Sequence, residues 1–271
     1  MKKKRSEIGV IGCGNMGSAL IRGMVESEHF PSRGIIAWDP DTGKLNRLVQ
    51  KYEIQAASSD ADAANARIVL LAVKPQQMGQ VIAEIKPKLT RSSLLISIAA
   101  GIPTVWIEKR VAVGVPVVRV MPNTPASVRK GVSAITRGRA ATSNHIRKAE
   151  KVFSAVGDEV VQIKESQMDA VTAISGSGPA YFFYLMEAMI HEARQMHIDE
   201  AVARRLVLET AAGAAKLAKE SEEDPSVLRK RVTSKGGTTE AAIKQFDKAG
   251  LNRIIYAGIR AAARRAKELS S

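Results

Sequence analysis

Near the amino terminus, the run Gly12-Cys13-Gly14-Asn15-Met16-Gly17 puts glycine at its first, third and sixth positions. Each glycine suits a different demand: Gly12 a tight turn, Gly14 a backbone that must approach a bulky anion, and Gly17 a helix packed hard on a strand. The apolar stretch Ile8 to Ile11 reads as a strand, and a helix is expected to begin near Met16. Cys13, Asn15 and Met16 then lie at a helix start, where free N–H groups and the helix dipole attract a pyrophosphate. The chemistry implied is dinucleotide binding. Asp39 lies 22 residues past Gly17, at the end of the second expected strand. A carboxylate there accepts hydrogen bonds from an adenosine ribose and repels a 2′-phosphate. Asp39-Pro40-Asp41 works equally as a turn and helix cap, and Lys44 and Arg47 stand close enough in sequence to neutralise a phosphate. The spacing leans to NADH and leaves NADPH open.

In an open parallel sheet the carboxyl ends of the strands line the ligand crevice. The strand expected over Arg67 to Val73 brings Ala72, Val73 and Lys74 to that edge, bordering ribose and nicotinamide. Pro75 then starts the next helix, where its missing N–H does no harm. Asn123 and Thr124 follow another strand end and can border the cofactor's amide, although a turn between Pro122 and Pro125 accounts for them as well. The segment Thr233 to Thr239 holds the paired Gly236 and Gly237 just before an expected helix. Exposed backbone N–H groups in such a place form a nest for a carboxylate. Thr238 and Thr239 also suit a plain helix N-cap. Ser175-Gly176-Ser177-Gly178-Pro179 reads as a helix entry with proline in its first turn. His29, His145, His191 and His197 show no metal-like spacing with carboxylates or with Cys13, so no metal site is expected.

The elements that must position these groups follow from hydrophobic periodicity. Through residue 164, short apolar, β-branched runs alternate with helical patterns, the mark of βαβ units and a mostly parallel sheet. Strands are expected at Ile8–Ile11, Ile35–Trp38, Arg67–Val73, Ser93–Ile98, Val115–Val120, Gly131–Thr136 and Glu159–Ile163. Ile68 to Val73 is continuously apolar, as a strand covered on both faces must be. After Ile163 the β signals stop, and Ala-rich helical segments cover Ala180–Gln195, Glu200–Ser221 and Leu251–Leu269, with a shorter one after Thr239. The expected organisation is α/β: a Rossmann-type dinucleotide-binding domain over residues 1–164, then an all-α substrate-binding and dimerisation domain over 165–271. Loosely punctuated helices rich in alanine do not form a sufficient core alone, so a homodimer through them is expected.

Composition narrows the function classes. The 271 residues are 45% hydrophobic and 25% charged, the balance of a globular chain. One cysteine excludes an internal disulfide framework and fits a reducing compartment. Met1-Lys2-Lys3-Lys4-Arg5 resembles the basic start of a secretory signal, but Gly9, Gly12, Gly14 and Gly17 interrupt the apolar stretch behind it. No segment reaches the roughly 18 uninterrupted apolar residues of a spanning helix. The expectation is a cytoplasmic protein without a membrane anchor. Of the net charge of +14, residues 1–164 contribute 25 basic and 13 acidic side chains, and residues 165–271 contribute 16 and 14. Within residues 1–164 no basic run occurs beyond the terminus, and 4% aromatic residues leave few base-stacking platforms, so no nucleic-acid partner is expected.

Five segments, in order along the chain, resemble the pyrroline-5-carboxylate reductase family. They are Ile8 to Gly17, Ala72-Val73-Lys74-Pro75-Gln76, Met121-Pro122-Asn123-Thr124-Pro125, Ser175 to Tyr181, and Val232 to Ala241. The resemblance implies hydride transfer from the nicotinamide of NADPH or NADH to the imine carbon of 1-pyrroline-5-carboxylate, giving L-proline, the last step of proline biosynthesis. It implies that the Thr239 hydroxyl donates a hydrogen bond near the imine nitrogen. It further implies that Ser234, Gly237 and the Thr238 backbone hold the substrate carboxylate, that Ser175 packs beside the nicotinamide end, and that dimers associate into rings. No His, Asp or Glu is demanded, because solvent can protonate the substrate nitrogen before hydride arrives. Lys235 stands where some relatives carry proline. The nearest rival is a 3-hydroxyacid dehydrogenase, which needs a lysine and an asparagine four residues apart on one helix. Only Lys248 and Asn252 have that spacing, with Gly250 in an expected turn between them.

Overall fold

The computed structural model describes residues 5–269. By contact, the chain divides into two compact units: one runs to Ser177 and takes the chain back from Ala262 onward, and the other is Gly178–Ala261.

The first unit is built on an eight-stranded sheet: β1 (Ser6–Ile11), β2 (Ile35–Trp38), β3 (Gln55–Ala56), β4 (Ala66–Leu71), β5 (Leu94–Ser97), β6 (Val117–Met121), β7 (Val132–Arg137) and β8 (Glu159–Gln162). Their order is β3-β2-β1-β4-β5-β6-β7-β8. Neighbours are parallel throughout except β6 and β7, which run antiparallel. After β3 the chain crosses over β1 and β2 to place β4 on the other side of β1. That reversal creates the switch point at which doubly wound sheets bind ligands, outside the carboxyl ends of the strands.

Helices α1 (Asn15–Glu26), α2 (Thr42–Tyr52), α3 (Asp60–Ala63), α4 (Met78–Ile85), α5 (Thr104–Glu108), α6 (Ser143–Phe153) and α7 (Met168–Val171) belong to this unit. Successive side chains of a strand point to opposite faces, which explains the continuous apolar runs. Leu70, Ile96 and Val118 join Leu20 and Met24 of α1 and Phe153 of α6 in one core. Val69, Leu95 and Val117 join Met78 and Ile85 of α4 and Ile107 of α5 in the other.

The seven expected strands are all present within a residue or two of their ends. Sequence patterning missed β3, which is too short to alternate, and the short helices α3, α5 and α7. The composition shift at residue 164 and the packing break do not coincide: the segment after β8 stays with the sheet as far as Ser177. The end of the chain does likewise, since a Cβ at Gly101 would stand 2.7 Å from the Leu269 carbonyl oxygen.

The second unit is helical: α8 (Gly178–Gln195), α9 (Glu200–Glu220), α10 (Pro225–Arg231), α11 (Thr238–Lys248) and the first part of α12 (Leu251–Glu268). Asp199 caps α9 through the Ala201 and Val202 N–H groups, and Asp224 caps α10 through that of Ser226. α8 and α9 pack on each other, yet Gly178, Ala203 and Val207 are the only buried residues of the unit. Phe182, Phe183, Tyr184 and Leu206 are each more than half exposed. Among the described residues, no helix is long and apolar enough to cross a membrane.

Candidate functional site

The glycine-rich turn joins β1 to α1. Gly12 adopts φ 98°, and a Cβ there would lie 2.5 Å from the Ala72 carbonyl oxygen. Any other residue would meet both backbone strain and collision. A Cβ at Gly17 would run into the Gly12 carbonyl, so helix and turn pack at backbone distance. Gly12 N–H donates to the Trp38 carbonyl at 2.8 Å, and Ala72 N–H donates to that of Ile11 at 2.8 Å. The turn is thus fixed between the ends of β2 and β4. Gly14 caps α1 without any side-chain hydrogen bond, and no acidic residue occupies the first turn. The helix start therefore presents its N–H groups and positive dipole to an anion, and Gly14 and Asn15 are exposed. A cleft of about 700 Å³ opens there, lined by Cys13, Gly14, Asn15 and Met16 together with Lys44 and Arg47 of α2. An open helix start, a turn that only glycine fits and basic side chains in one cleft suit a dinucleotide.

Asp39 is brought to this turn, where each of its oxygens accepts one backbone N–H. Oδ2 accepts the Cys13 N–H at 2.6 Å and Oδ1 that of Asp41 at 2.9 Å. The carboxylate is 8% exposed and acts as a brace between β2 and the glycine turn. Cys13 is buried beside it. Burial above all, with the Asp39 charge adding and Lys44 opposing, pushes the thiol up to about 12. At neutral pH the thiol is uncharged and does not compete with a pyrophosphate.

Ala72 and Val73 are half-buried at the end of β4, Lys74 is exposed, and Pro75 opens a short helical turn, as its missing N–H allows. The Asn123 side-chain oxygen accepts the Val132 N–H at 3.0 Å and so holds the start of β7. Ser175 lies in a π-helical turn, Thr172–Gly176, that sequence patterning does not anticipate. Its Oγ is buried and makes no hydrogen bond. π-turns of this kind gather at functional sites.

The remaining expected residues lie in the second unit, in the loop after α10 and the first turn of α11. The Thr233 hydroxyl donates to the Arg229 carbonyl at 2.6 Å and closes α10. Gly237 N–H donates to the Ser234 carbonyl at 3.1 Å, and Gly236 turns at φ 74°. The helix cap is Gly237, with no side-chain hydrogen bond, so the hydroxyls of Thr238 and Thr239 are not used for capping. Glu240 carries a role that sequence reading missed: its carboxylate accepts the Gly236 N–H at 2.8 Å and pairs with Lys244 at 3.2 Å. The Gly236 bond first, then Lys244, holds its carboxyl below the usual range. The signal was the four-residue spacing from Gly236 to Glu240 and on to Lys244. Lys248 ends α11 and Asn252 lies in α12, with Gly250 at φ 72° between them. The lysine–asparagine pair of a 3-hydroxyacid dehydrogenase is therefore split between two helices. Among the described residues, no group of three or more His, Cys, Asp or Glu side chains could hold a metal ion.

Residues 165–269 match the family described as pyrroline-5-carboxylate reductase dimerisation, and residues 7–101 match NADP oxidoreductase, coenzyme F420-dependent. The chain is 42% identical to the pyrroline-5-carboxylate reductase of Pseudomonas aeruginosa, over 97% of this chain and 96% of that one. Among solved structures, a pyrroline-5-carboxylate reductase from Coxiella burnetii superposes with a TM-score of 0.90 at 37% identity, covering 99% of this chain and all of the other. Plasmodium falciparum pyrroline carboxylate reductase, solved with NADP bound, gives 0.89 at 29% identity, covering 99% of both chains.

Proposed function

The chain belongs to the pyrroline-5-carboxylate reductase family, and from that premise we propose that it reduces the imine of 1-pyrroline-5-carboxylate to L-proline with NADPH or NADH. The observation that carries the reading to particular residues is the α10–α11 loop. Gly237 takes the cap of α11 and leaves the helix-start N–H groups and the Thr238 and Thr239 hydroxyls for a ligand.

The reduced nicotinamide, when bound, supplies the hydride. The N–H groups at the start of α1 hold the pyrophosphate, and Ala72, Val73, Lys74 and Pro75 border the ribose and nicotinamide. In the loop, Ser234 and the Thr238 N–H hold the substrate carboxylate, and Gly237, whose own N–H turns back to the Ser234 carbonyl, shapes the loop around it. The Thr239 hydroxyl donates toward the imine nitrogen and orients the ring. The imine carbon takes the hydride, and the nitrogen keeps the proton it took from solvent, which gives the secondary amine. Such an enzyme works chiefly by positioning, which can supply on the order of 7–11 kcal/mol of the barrier.

The active assembly is a homodimer or a ring of such dimers, joined through the Gly178–Ala261 helices; their outward aromatic side chains support this. Light scattering separates the two sizes. The single, buried Cys13 supports a cytoplasmic setting. Oxidation of NADPH, followed at its absorbance with 1-pyrroline-5-carboxylate and then in reverse with 3-hydroxyacids, tests the assignment. Turnover with the imine alone is expected; turnover with a 3-hydroxyacid, or with neither, refutes it.

A further inference from the structure

A buried arginine in β6 is not explained by the fold alone. Arg119 is 3% exposed and stands among the buried Val117, Val118 and Val120. A guanidinium withdrawn from water needs a partner. Its Nη1 donates to Glu165 Oε1 at 2.7 Å, and Glu165 Oε2 accepts the Thr104 hydroxyl at 2.7 Å. Asp169 Oδ1 stands 4.0 Å from Nη2. Three elements are tied together in this way: β6, the first residue of α5, and the segment after β8 that leads into α7.

That segment ends in the π-turn. The Thr172 hydroxyl donates to the Met168 carbonyl at 2.8 Å, and Ser177 N–H reaches back to the Thr172 carbonyl at 2.8 Å. Gly176 rests against Met121: a Cβ on it would stand 2.6 Å from Met121 Cε. Arg119 and Met121 are two residues apart on one strand and so share a face. One face of β6 thus grips the same segment twice, at Glu165 and at Gly176. Between the two grips lies Ser175, whose buried Oγ has no partner. An orphaned hydroxyl of this kind calls for a ligand or water to complete it, and β6 ends at the crevice edge of the sheet.

We propose that the Arg119–Glu165 pair, with Thr104, is a positioning device that sets the Ser175 hydroxyl for contact with the bound nicotinamide half of the cofactor. None of the three touches a reacting atom. The proposal rests on the imine-reductase reading. A displacement of about 1 Å at such a contact can cost roughly a hundredfold in rate.

The test uses the full-length protein as Glu165→Gln, Ser175→Ala, their combination, and the double variant Arg119→Met with Glu165→Leu. Melting temperature, NADPH affinity, the emission of bound NADPH, and kcat are measured for each. Glu165→Gln and Ser175→Ala are each expected to lower kcat ten- to a hundredfold, by similar factors, and the combination is expected to be no worse than either alone. Coupling of that size between residues without mutual contact appears only if one acts through the other. The apolar double variant is expected to recover the melting temperature, since a buried ion pair is replaceable by packed apolar side chains, while kcat stays low. Multiplying losses, or a kcat that recovers with the melting temperature, overturns the proposal. The emission of bound NADPH is read without substrate: equal shifts in Glu165→Gln and Ser175→Ala support the device even if imine turnover is absent, and no shift in either refutes it.

Discussion

The two compact units use their apolar residues in opposite ways. In the sheet-bearing unit, β1, β4, β5 and β6 are buried on both faces, and two separate cores, one anchored by Phe153 and the other by Met78, close over them. In the helical unit, Phe182, Phe183, Tyr184, Ile254 and Tyr256 are each more than half exposed, and only Gly178, Ala203 and Val207 are buried. A sheet covered by helices satisfies itself, whereas a set of helices with aromatic residues turned outward is half of something. On the proposed reading, the difference runs parallel to the two tasks of the reaction. Dinucleotide recognition rests on backbone geometry inside a unit that folds on its own core. On the proposed reading, substrate recognition belongs to the loop before α11, in a unit whose outward apolar face suits the dimerisation family it matches.

The sharpest way to break this contrast is to charge the outward face. Phe182→Glu with Phe183→Glu removes two apolar side chains whose burial is worth roughly 1.5–3 kcal/mol each, and adds two charges to an interface. Light scattering is expected to show monomers, and turnover is expected to vanish while NADPH binding persists. An oligomer with wild-type turnover would dissolve the contrast between the units. A smaller effect sharpens it. Thr239→Ala removes one donor without touching the cap of α11, and by analogy with oxyanion donors it costs roughly 3 kcal/mol, about a hundredfold in kcat. NADPH affinity, measured by fluorescence, is expected to stay at the wild-type value, because the glycine turn lies in the other unit. Unchanged kcat would remove Thr239 from the mechanism.

Much of this could be read from the chain, and what escaped has physical causes. Strands buried on both faces write themselves as continuous apolar runs, as in Ile68 to Leu71. The glycine turn was legible because each glycine answers a separate steric demand. β3 was not, since two residues carry no periodicity. Nor was the π-turn, because nothing in Thr172 to Gly176 distinguishes a bond to the fifth residue from one to the fourth. The arginine in Val117-Val118-Arg119-Val120-Met121 was a signal left unused: a charge inside a buried strand requires a partner. Which partner could not be read, because Glu165 lies 46 residues away. In the helical unit, motifs named the loop residues, but only the fold shows that a glycine rather than a threonine caps α11. Asp39 shows the converse. Its spacing pointed to a ribose, and the fold adds a bracing role that spacing does not show, with one oxygen accepting the Cys13 N–H and the other that of Asp41.

The engagement of Asp39 leads to the smallest expected effect, on cofactor choice. Each oxygen of the braced carboxylate keeps a further acceptor site, and the cleft beside it is lined by Lys44 and Arg47. Lys44 is partly claimed by Asp41, which accepts its backbone N–H at 3.1 Å and lies 3.2 Å from its Nζ. That leaves Arg47 as the stronger candidate for a 2′-phosphate, and the balance tips toward NADPH. Because the side chain is exposed, the contact is worth only about 1 kcal/mol and is screened by salt. Arg47→Ala is expected to weaken NADPH binding about fivefold at low ionic strength and to leave NADH binding unchanged, with Lys44→Ala doing less. Titrations of both cofactors at low and high salt check this. Equal losses for NADH and NADPH would mean that Arg47 serves the pyrophosphate or the fold, and that the preference must be sought elsewhere in the cleft.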